Sequence, residues 1–394
     1  MNGSPKIAAR PGELGEMFQL LRDGRPRTRA ELAQATGQAR STVSARVDQL
    51  LASGLVGPAG EASSTGGRPP ATFAFHPGAR IVLAVDLGAT HARLAVTDLA
   101  SRVLAEHHEP ISIAEGPDVV LERVVTLGAE LVERTGRAPE DLVSVGIGLP
   151  GPVDHASGRP INPPIMPGWD HCDVPAIVGG RLGVPVLVDN DVNVMALGEH
   201  RAELADVDHL LFVKVATGIG AGVISDGAIR RGAQGAAGDL GHIAVPGGAP
   251  VLCRCGNTGC LEALASGRAV AASLAEAGLE ATTTADVVAL VRAGDVTAGN
   301  AVRDAGRTIG EVLAACVSML NPSVIVLGGA LAEAGEHLLA GIREVVYRRS
   351  LPLATQHLRI VASRTRGRAG VLGASVMAVE HRLEASAVES LLVP

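Results

Sequence analysis

Between residues 253 and 260 the chain reads Cys-Arg-Cys-Gly-Asn-Thr-Gly-Cys, and His242 stands eleven residues before Cys253 in Gly238-Asp239-Leu240-Gly241-His242. Three thiols and one imidazole are the ligand count of a closed structural zinc site. The C-x-C-x₄-C spacing suits a tight loop that turns back on a metal, with Gly256 and Gly259 supplying backbone freedom. The segment is therefore expected to fold around Zn²⁺ held by His242, Cys253, Cys255 and Cys260. The competing reading is a set of reduced, unligated thiols, but three of the chain's five cysteines fall within eight residues. Zinc of this kind builds a site and does not perform the chemistry.

The Gly238–His242 segment, the Cys loop and the following Leu261-Glu262 together resemble the signature of the ROK family (repressors, open reading frames and sugar kinases). The resemblance runs from about residue 10 to the C-terminus. It implies that His242 binds zinc through one ring nitrogen and a sugar hydroxyl through the other, so that the metal orients a sugar ligand.

At 394 residues the chain is expected to hold two or three domains. Hydrophobic residues make up 47 % and aromatics 2 %, so the cores are aliphatic and a stacking surface for single-stranded nucleic acid is not expected. No apolar run approaches a membrane span, and no charged-then-apolar leader opens the sequence. With five cysteines, three of them assigned to metal, a reducing cytoplasm is the expected location. Of the 34 basic residues 32 are Arg and only Lys6 and Lys214 are Lys, so a lone Arg carries little weight. Residues 1–75 hold nine Lys+Arg against six Asp+Glu, a net +3, and the remainder 25 against 35, a net −10. A mildly basic head on an acidic body fits a DNA-binding head.

In that head, residues 1–76, Leu14, Met17, Phe18 and Leu21 give a helix from Glu13 to Leu21. Thr28-Arg29-Ala30-Glu31 is a capping box that opens a second helix, ended by Thr36-Gly37. A third helix runs from about Arg40 to Ala52 with Val43, Val47, Leu50 and Leu51 as its apolar stripe. This is the pattern of a winged helix-turn-helix, whose base- and phosphate-contacting residues are expected to be Arg40, Ser41, Thr42, Ala45 and Arg46. The family's repressor branch usually carries Ser where Ala39 stands, so the third helix is expected to start without a side-chain cap. Gly66-Gly67-Arg68-Pro69-Pro70 reads as a wing and linker, with Arg68 placed to enter a narrow minor groove. Phe73 and Phe75 are expected on the last wing strand.

In the body, strand-like runs at Ile81–Val85, Leu94–Thr97, Val143–Ile147, Val186–Val188, Leu210–Val215, Ala221–Ile224 and Val324–Leu327 alternate with amphipathic stretches at Val119–Arg134, Ala301–Leu320 and Glu336–Arg348. The fold class is α/β. Asp86-Leu87-Gly88-Ala89-Thr90, Thr217-Gly218-Ile219-Gly220 and Gly328-Gly329 resemble the two phosphate loops and the adenosine loop of an actin-like ATPase body, a duplicated ribonuclease-H-like pair of lobes. That likeness implies a small lobe over 77–190, joined by a C-terminal helix over 375–394, and a large lobe over 191–374. It also places sugar contacts at Gly151, Asn190, Asp191, Asp239, His242 and Glu262, with Asp191 the catalytic base if the protein is a kinase. The family's usual residue at position 239 is Glu, so Asp239 reaches one methylene less far.

Two functions compete. One is a transcription regulator, a repressor of carbohydrate genes, that binds a double-stranded inverted-repeat operator as a homodimer or homotetramer and senses a sugar or sugar phosphate. The other is an ATP- and Mg²⁺-dependent sugar kinase, alone or combined with regulation. The head favours the first, because plain kinases of the family begin at the strand equivalent to Ile81. Ala89 and His91 stand where such kinases usually carry Gly and often Lys, which weakens the nucleotide reading.

Overall fold

The computed structural model describes residues 13–62 and 69–391. The expectation for Arg68 lies outside the described residues.

The head is built from α1 (Glu13–Leu21), β1 (Arg27–Thr28), α2 (Arg29–Thr36), α3 (Arg40–Ala52), β2 (Val56–Glu61) and β3 (Ala71–Phe75), with the strands in the order β1-β3-β2. The capping box at the start of α2 forms as expected: the Thr28 hydroxyl accepts from the Glu31 N–H and the Glu31 carboxylate accepts from the Thr28 N–H. Gly37 closes the helix with φ 67°, a left-handed conformation that suits glycine. Ala39 precedes α3 with no side-chain cap. Phe73 and Phe75 lie on β3, and Phe75 meets Phe18 edge-on at 5.5 Å between ring centres.

The first body sheet comprises β4 (Ile81–Leu87), β5 (His91–Asp98), β6 (Val103–Pro110), β7 (Leu142–Leu149) and β10 (Val186–Asn190). Between these strands run α4 (Pro117–Arg134), the small hairpin β8 (Val153–Asp154) and β9 (Arg159–Pro160), and α5 (Val174–Leu182). Its order is β10-β7-β4-β5-β6, with β4, β7 and β10 parallel and β5 and β6 folded back as antiparallel neighbours. Next come α6 (Asp191–Glu203), β11 (Leu210–Val215), β12 (Ile219–Ser225) and β13 (Ala228–Arg230). Helices α7 (Leu261–Ala265), α8 (Gly267–Glu276), α9 (Thr284–Arg292) and α10 (Val296–Leu320) follow, then β14 (Val324–Gly328), α11 (Glu336–Arg349), α12 (Pro352–Thr355) and β15 (Arg359–Ala362). The chain ends with α13 (Ala369–Arg382) and α14 (Ala385–Val388).

The second sheet has the order β13-β12-β11-β14-β15, with β11, β14 and β15 parallel and β12 and β13 antiparallel. Strand for strand this repeats the first sheet: a three-strand meander, then two parallel strands beside its first member. The body is thus a duplication.

Each sheet buries both faces. On the outer face of the first, Leu121 and Val124 of α4 and Val178 of α5 share a core with Val145 and Ile147 of β7. The single tryptophan, Trp169, is fully buried there and its indole N–H donates to the Ile113 carbonyl at 3.0 Å. On the outer face of the second, α8 to α11 pack an aliphatic cluster. Helices α6 and α13 lie between the sheets. Val192 and Ala196 of α6 pack on Phe212, Ile224 and Val326, and Val371, Ala374 and Met377 of α13 on Ala84 and Ala95.

The α6–α13 contact is as close as backbone allows. A Cβ on Gly373 would stand 1.7 Å from the Val194 carbonyl oxygen, and one on Gly198 would stand 2.0 Å from that of Ala369. Glu199, buried on α6, accepts from Ser363 Oγ, Thr365 Oγ1 and the Arg364 N–H at 2.6–2.7 Å, tying the approach to α13 onto α6.

One core spans the head and the body. Leu14, Met17, Phe18 and Leu21 of α1 share a cluster with Val82, Val143 and Leu99 of the first sheet's half and with Ala378, Val379, Leu383 and Val388 of the C-terminal helices. Arg22 pairs with Glu380 at 2.7 Å, and Gln19 Nε2 donates to the Leu383 carbonyl.

Two differences from the sequence reading have a physical cause. Helix α13 begins at Ala369 and ends at Arg382, not over 375–394, because Gly370 and Gly373 hide its start. Both are required there by close approach, Gly370 to the Asp86 carboxylate and Gly373 to Val194. Strand β6 is a half-exposed edge rich in polar residues, and β15 is an edge of only four residues, so neither offers a long apolar run.

Candidate functional site

The cleft residues gather around the start of α6. Strand β10 ends at Asn190, whose side-chain oxygen accepts from the Val192 N–H at 2.9 Å and caps α6. Its amide nitrogen donates to the Gly151 carbonyl at 2.8 Å, so Asn190 fixes the loop carrying Gly151, which sits at φ 101°. Asp189, buried, accepts from Arg231 Nε at 2.6 Å and from Asn193 Nδ2 at 3.0 Å, with His155 Nδ1 3.7 Å away.

Asp191, the first residue of α6, is 3 % exposed and its Oδ2 accepts from Lys214 Nζ at 2.5 Å. Burial pushes the Asp191 carboxyl above the ordinary aspartate value, and Lys214 opposes that shift. Burial works against the Lys214 ammonium, but the Asp191 carboxylate, with Asp86 behind it, holds its pKa above the ordinary lysine value. Lys214 was not among the residues expected from sequence. The signal was available: it is one of only two lysines in the chain.

Strand β12 carries the next group. Gly220 and Gly222 let α6 lie against it, Gly220 beneath Val192 and Gly222 beneath Ala196. The loop of Gly238 and Gly241 lies against the carbonyls of Ala221 and Ile219. Glu262, on the first turn of α7, accepts from the Ile219 N–H at 3.1 Å and fills the space beside Gly218, while Thr217 is exposed. A single 3₁₀ turn, Leu240–His242, then presents His242. Its Nδ1 lies 3.5 Å from Cys253 Sγ, and its Nε2 points toward Asp239 Oδ1 at 4.0 Å.

The four expected ligand atoms, from His242, Cys253, Cys255 and Cys260, all lie within 4.8 Å of one another and could hold a metal ion. Cys255 Sγ and Cys260 Sγ are 3.7 Å apart. For a tetrahedral ion with bonds of about 2.3 Å to sulfur and about 2.0–2.1 Å to nitrogen, the edges are roughly 3.8 Å for S···S and 3.5 Å for S···N. Both observed separations fit. Hydrogen bonding from the Asn257 backbone, with Cys253, Cys260 and His242 beyond it, lowers the Cys255 thiol to about 7, and burial raises Cys260 to about 12.

The loops that resemble phosphate loops are closed by side chains. A Cβ on Gly88 would meet the His91 ring at 2.1 Å, so the imidazole lies over the loop backbone, with Thr90 exposed at its tip. Asp86 is buried against Gly370. Gly328 lies under the Phe212 ring, and Gly329, at φ 86°, lies against the Val215 backbone.

In the head, Arg40, Ser41 and Ala45 are exposed on α3 and Thr42 is half-buried. Arg46 departs from the expectation of a DNA contact. It is 5 % exposed and its guanidinium binds Glu13 and Gln38, joining α3 to α1. Positions 43, 46, 47 and 50 are spaced i, i+3, i+4 and i+7, so Arg46 belongs to the inward stripe. Sequence reasoning also missed a groove of about 400 Å³ between α2, α3 and the wing, lined by Arg29, Ala30, Arg40, Ser44 and Pro70. Arg29 lies over the Phe73 ring at 4.6 Å and pairs with Asp48.

Residues 82–381 match the ROK family, and residues 17–56 match a winged helix-turn-helix DNA-binding family. The chain belongs to the ROK family. It is 31 % identical over 381 residues to a putative xylose repressor of Caldicellulosiruptor sp. (strain Rt8B.4), spanning 93 % of this chain and 95 % of that one. A crystal structure of a ROK family transcriptional regulator, described as a homolog of E. coli MLC protein, superposes with a TM-score of 0.80 at 26 % identity, over 96 % of this chain and 98 % of that one. A ROK family glucokinase from Streptomyces griseus, in complex with glucose and AMPPNP, superposes with a TM-score of 0.66 at 29 % identity, over 76 % of this chain and 99 % of the kinase. The kinase likeness thus spans less of this chain than the regulator likeness. Among the described residues no helix is long and apolar enough to cross a membrane.

Proposed function

We propose that this ROK protein is a sugar-responsive DNA-binding repressor of carbohydrate genes, working in the cytoplasm as a homodimer or homotetramer on an inverted-repeat operator. The observation that carries the reading is the shared core: the winged head packs on the first body sheet and on the C-terminal helices that run back to the cleft. A ligand that moves the cleft therefore has a packed route to the head. The ligand is a sugar, held by Asn190, Asp191, Asp239, His242 and Glu262, with Gly151 lining the loop. D-Xylose and D-glucose are the first candidates, because the similar proteins are named for, or hold, those sugars. Zinc at His242, Cys253, Cys255 and Cys260 fixes the imidazole through Nδ1 and leaves Nε2 for a sugar hydroxyl. Arg40, Ser41, Thr42 and Ala45 present α3 to the major groove, and Arg68 reaches the minor groove.

The kinase reading is the weaker one. The base position, Asp191, is engaged by Lys214, and His91 covers the loop where a nucleotide phosphate would approach Gly88. Nucleotide binding through Asp86, Gly88, Thr90, Thr217, Gly218, Gly220, Gly328 and Gly329 is accordingly not part of the proposed function.

The test is a selection of bound DNA fragments with the full chain, followed by titration of the selected operator with sugars. A sugar that changes operator affinity without consuming ATP supports the reading. Turnover of ATP with a sugar, and no selected DNA, overturns it.

A further inference from the structure

The cation inside the cleft is a lysine in a chain that otherwise uses arginine. Thirty-two of the 34 basic residues are Arg, and Lys6 and Lys214 are the exceptions. An ammonium is a compact point charge, whereas a guanidinium is a wide planar fork. The sheet is built to pass that stem: the residues directly beside Lys214 are Gly220 on β12 and Gly328 on β14. Its Nζ lies 2.5 Å from Asp191 Oδ2, at the first residue of α6. Two further ionisable groups face the pair, Asp86 on β4, which acts on both residues, and His91 on β5, which acts on Asp191. Asp189, two residues before Asp191, is held separately by Arg231.

We propose that Lys214 is a positioning residue of the sugar cleft: its ammonium fixes Asp191 as a permanent carboxylate acceptor for a sugar hydroxyl and withholds it from proton abstraction. The proposal rests on the reading of Asp191 as a ligand contact. A general base must be free to take a proton, and a carboxylate with an ammonium on Oδ2 is a poorer one. The same pairing suits a sensor, because the ammonium favours the charged form of Asp191 and holds its carboxylate in one orientation. Buried and unpaired, an aspartate tends to take up a proton and becomes partly a donor.

The sign of the pH effect follows. Without Lys214, the folded-state pKa of Asp191 stands well above its unfolded value of about 4. The cost of the buried charge is then absent below the unfolded pKa and grows as pH rises through the folded one. The experiment uses the full chain without added ligand. Thermal melting of the wild type, Lys214→Met and Lys214→Met/Asp191→Asn is compared at about pH 5 and about pH 8. Lys214→Met should melt about 5 °C or more below the wild type at the higher pH and close much of that gap at the lower. The double variant should recover most of the loss and show no such slope. If Lys214→Met does not fold but the double variant does, the pairing is supported by rescue. If neither folds, or if Lys214→Met melts like the wild type at both values, the role assigned to Lys214 is wrong. D-Xylose and D-glucose are then added as probes. A pH slope without a sugar-induced shift in the wild type rejects the ligand reading and keeps the Lys214–Asp191 pairing. Equal sugar shifts in the wild type and Lys214→Met at both pH values reject the positioning role and keep the ligand reading.

Discussion

Replacing Gly373 by alanine tests the route between cleft and head. The new Cβ would stand 1.7 Å from the Val194 carbonyl oxygen, where contacts under 3.0 Å essentially never occur. The helices α6 and α13 must therefore part by about 1.3 Å, the difference between those two distances. No flexible side chain can absorb it, because the opposing atoms are the Val194 carbonyl and the Gly198 N–H of α6. Overpacking of this kind costs about 1–3 kcal/mol, here at the upper end because backbone opposes it. Alanine returns about 1 kcal/mol of helix propensity, leaving a net loss of about 2 kcal/mol. For a chain of this size, with an unfolding entropy of about 0.8 kcal/mol/K, that lowers the melting temperature by about 2–3 °C. Gly180→Ala on α5 is the control. Its Cβ meets nothing within 4 Å, so propensity alone should leave it level with or slightly above the wild type.

The functional half of this prediction is sharper than the stability half. Parting α6 from α13 loosens an element that touches Asp86 through Gly370 at one end and shares a core with Leu14, Met17 and Phe18 through its last turn and α14 at the other. Operator affinity, read by fluorescence anisotropy, should persist in Gly373→Ala, while the change produced by sugar should shrink. Melting within about 1 °C of the wild type, or a full-sized sugar response, would refute the reasoning.

Cys255→Ser should lose the bound metal, counted per chain by elemental analysis, and lose the sugar-induced melting shift with it, since His242 is then no longer held; a full sugar shift in metal-free protein contradicts the zinc assignment. Arg46→Ala should cost about 1–3 kcal/mol of stability because it strips Glu13 and Gln38 of their partner, whereas Arg40→Ala should leave melting unchanged and cost about 1–3 kcal/mol of operator affinity. The reverse pattern would restore Arg46 to the DNA face. Asp191→Ala should keep operator binding and lose the sugar response, and Asp191→Asn should keep part of it, since an amide can still accept a hydroxyl hydrogen bond; equal loss in both argues for a role that needs the charge itself.

Much of the fold was legible because its strands are buried on both faces and its turns are chemically marked. The run from Ile81 to Val85 stands out since nothing but a core strand tolerates it, and the observed strand adds only Asp86 and Leu87. The head was legible from Thr28, Glu31 and Gly37, whose side chains or backbone freedom act locally. The gathering of His242, Cys253, Cys255 and Cys260 was legible because these residues are close in sequence. What was not legible depends on contacts between distant segments. Lys214 meets Asp191 across 23 residues, Arg46 meets Glu13 across 33, and Gly373 is glycine only because Val194 lies over it. Edge strands such as β6, with Glu106, His107 and His108, carry too little hydrophobic pattern to be read.

The duplicated body explains how one scaffold can serve kinase and regulator. Each half offers a β4- or β11-type strand that ends at the cleft, and the layer between the sheets is a single helix pair. In this chain the cleft end of that layer is neutralised: Asp191 is paired with Lys214, and the imidazole of His91 sits where the loop backbone would otherwise be open. The far end is extended: α13 runs on through Leu383 to α14 and is buried under α1. A sugar can change operator affinity only through its different affinity for two arrangements of this molecule. On the proposed reading, the seating of α6 on α13 is one such difference, because α6 starts at Asp191 and α13 reaches the head's core through Ala378 and Val379. If a sugar binds at Asn190 and Asp191 as proposed, a displacement of the start of α6 would reach α13 through the close contacts at Gly198 and Gly373 and through the Glu199 hydrogen bonds. In a dimer on an inverted repeat, two heads displaced in this way would no longer match half-sites spaced by about 34 Å or its multiples, and the expected outcome is release of the DNA.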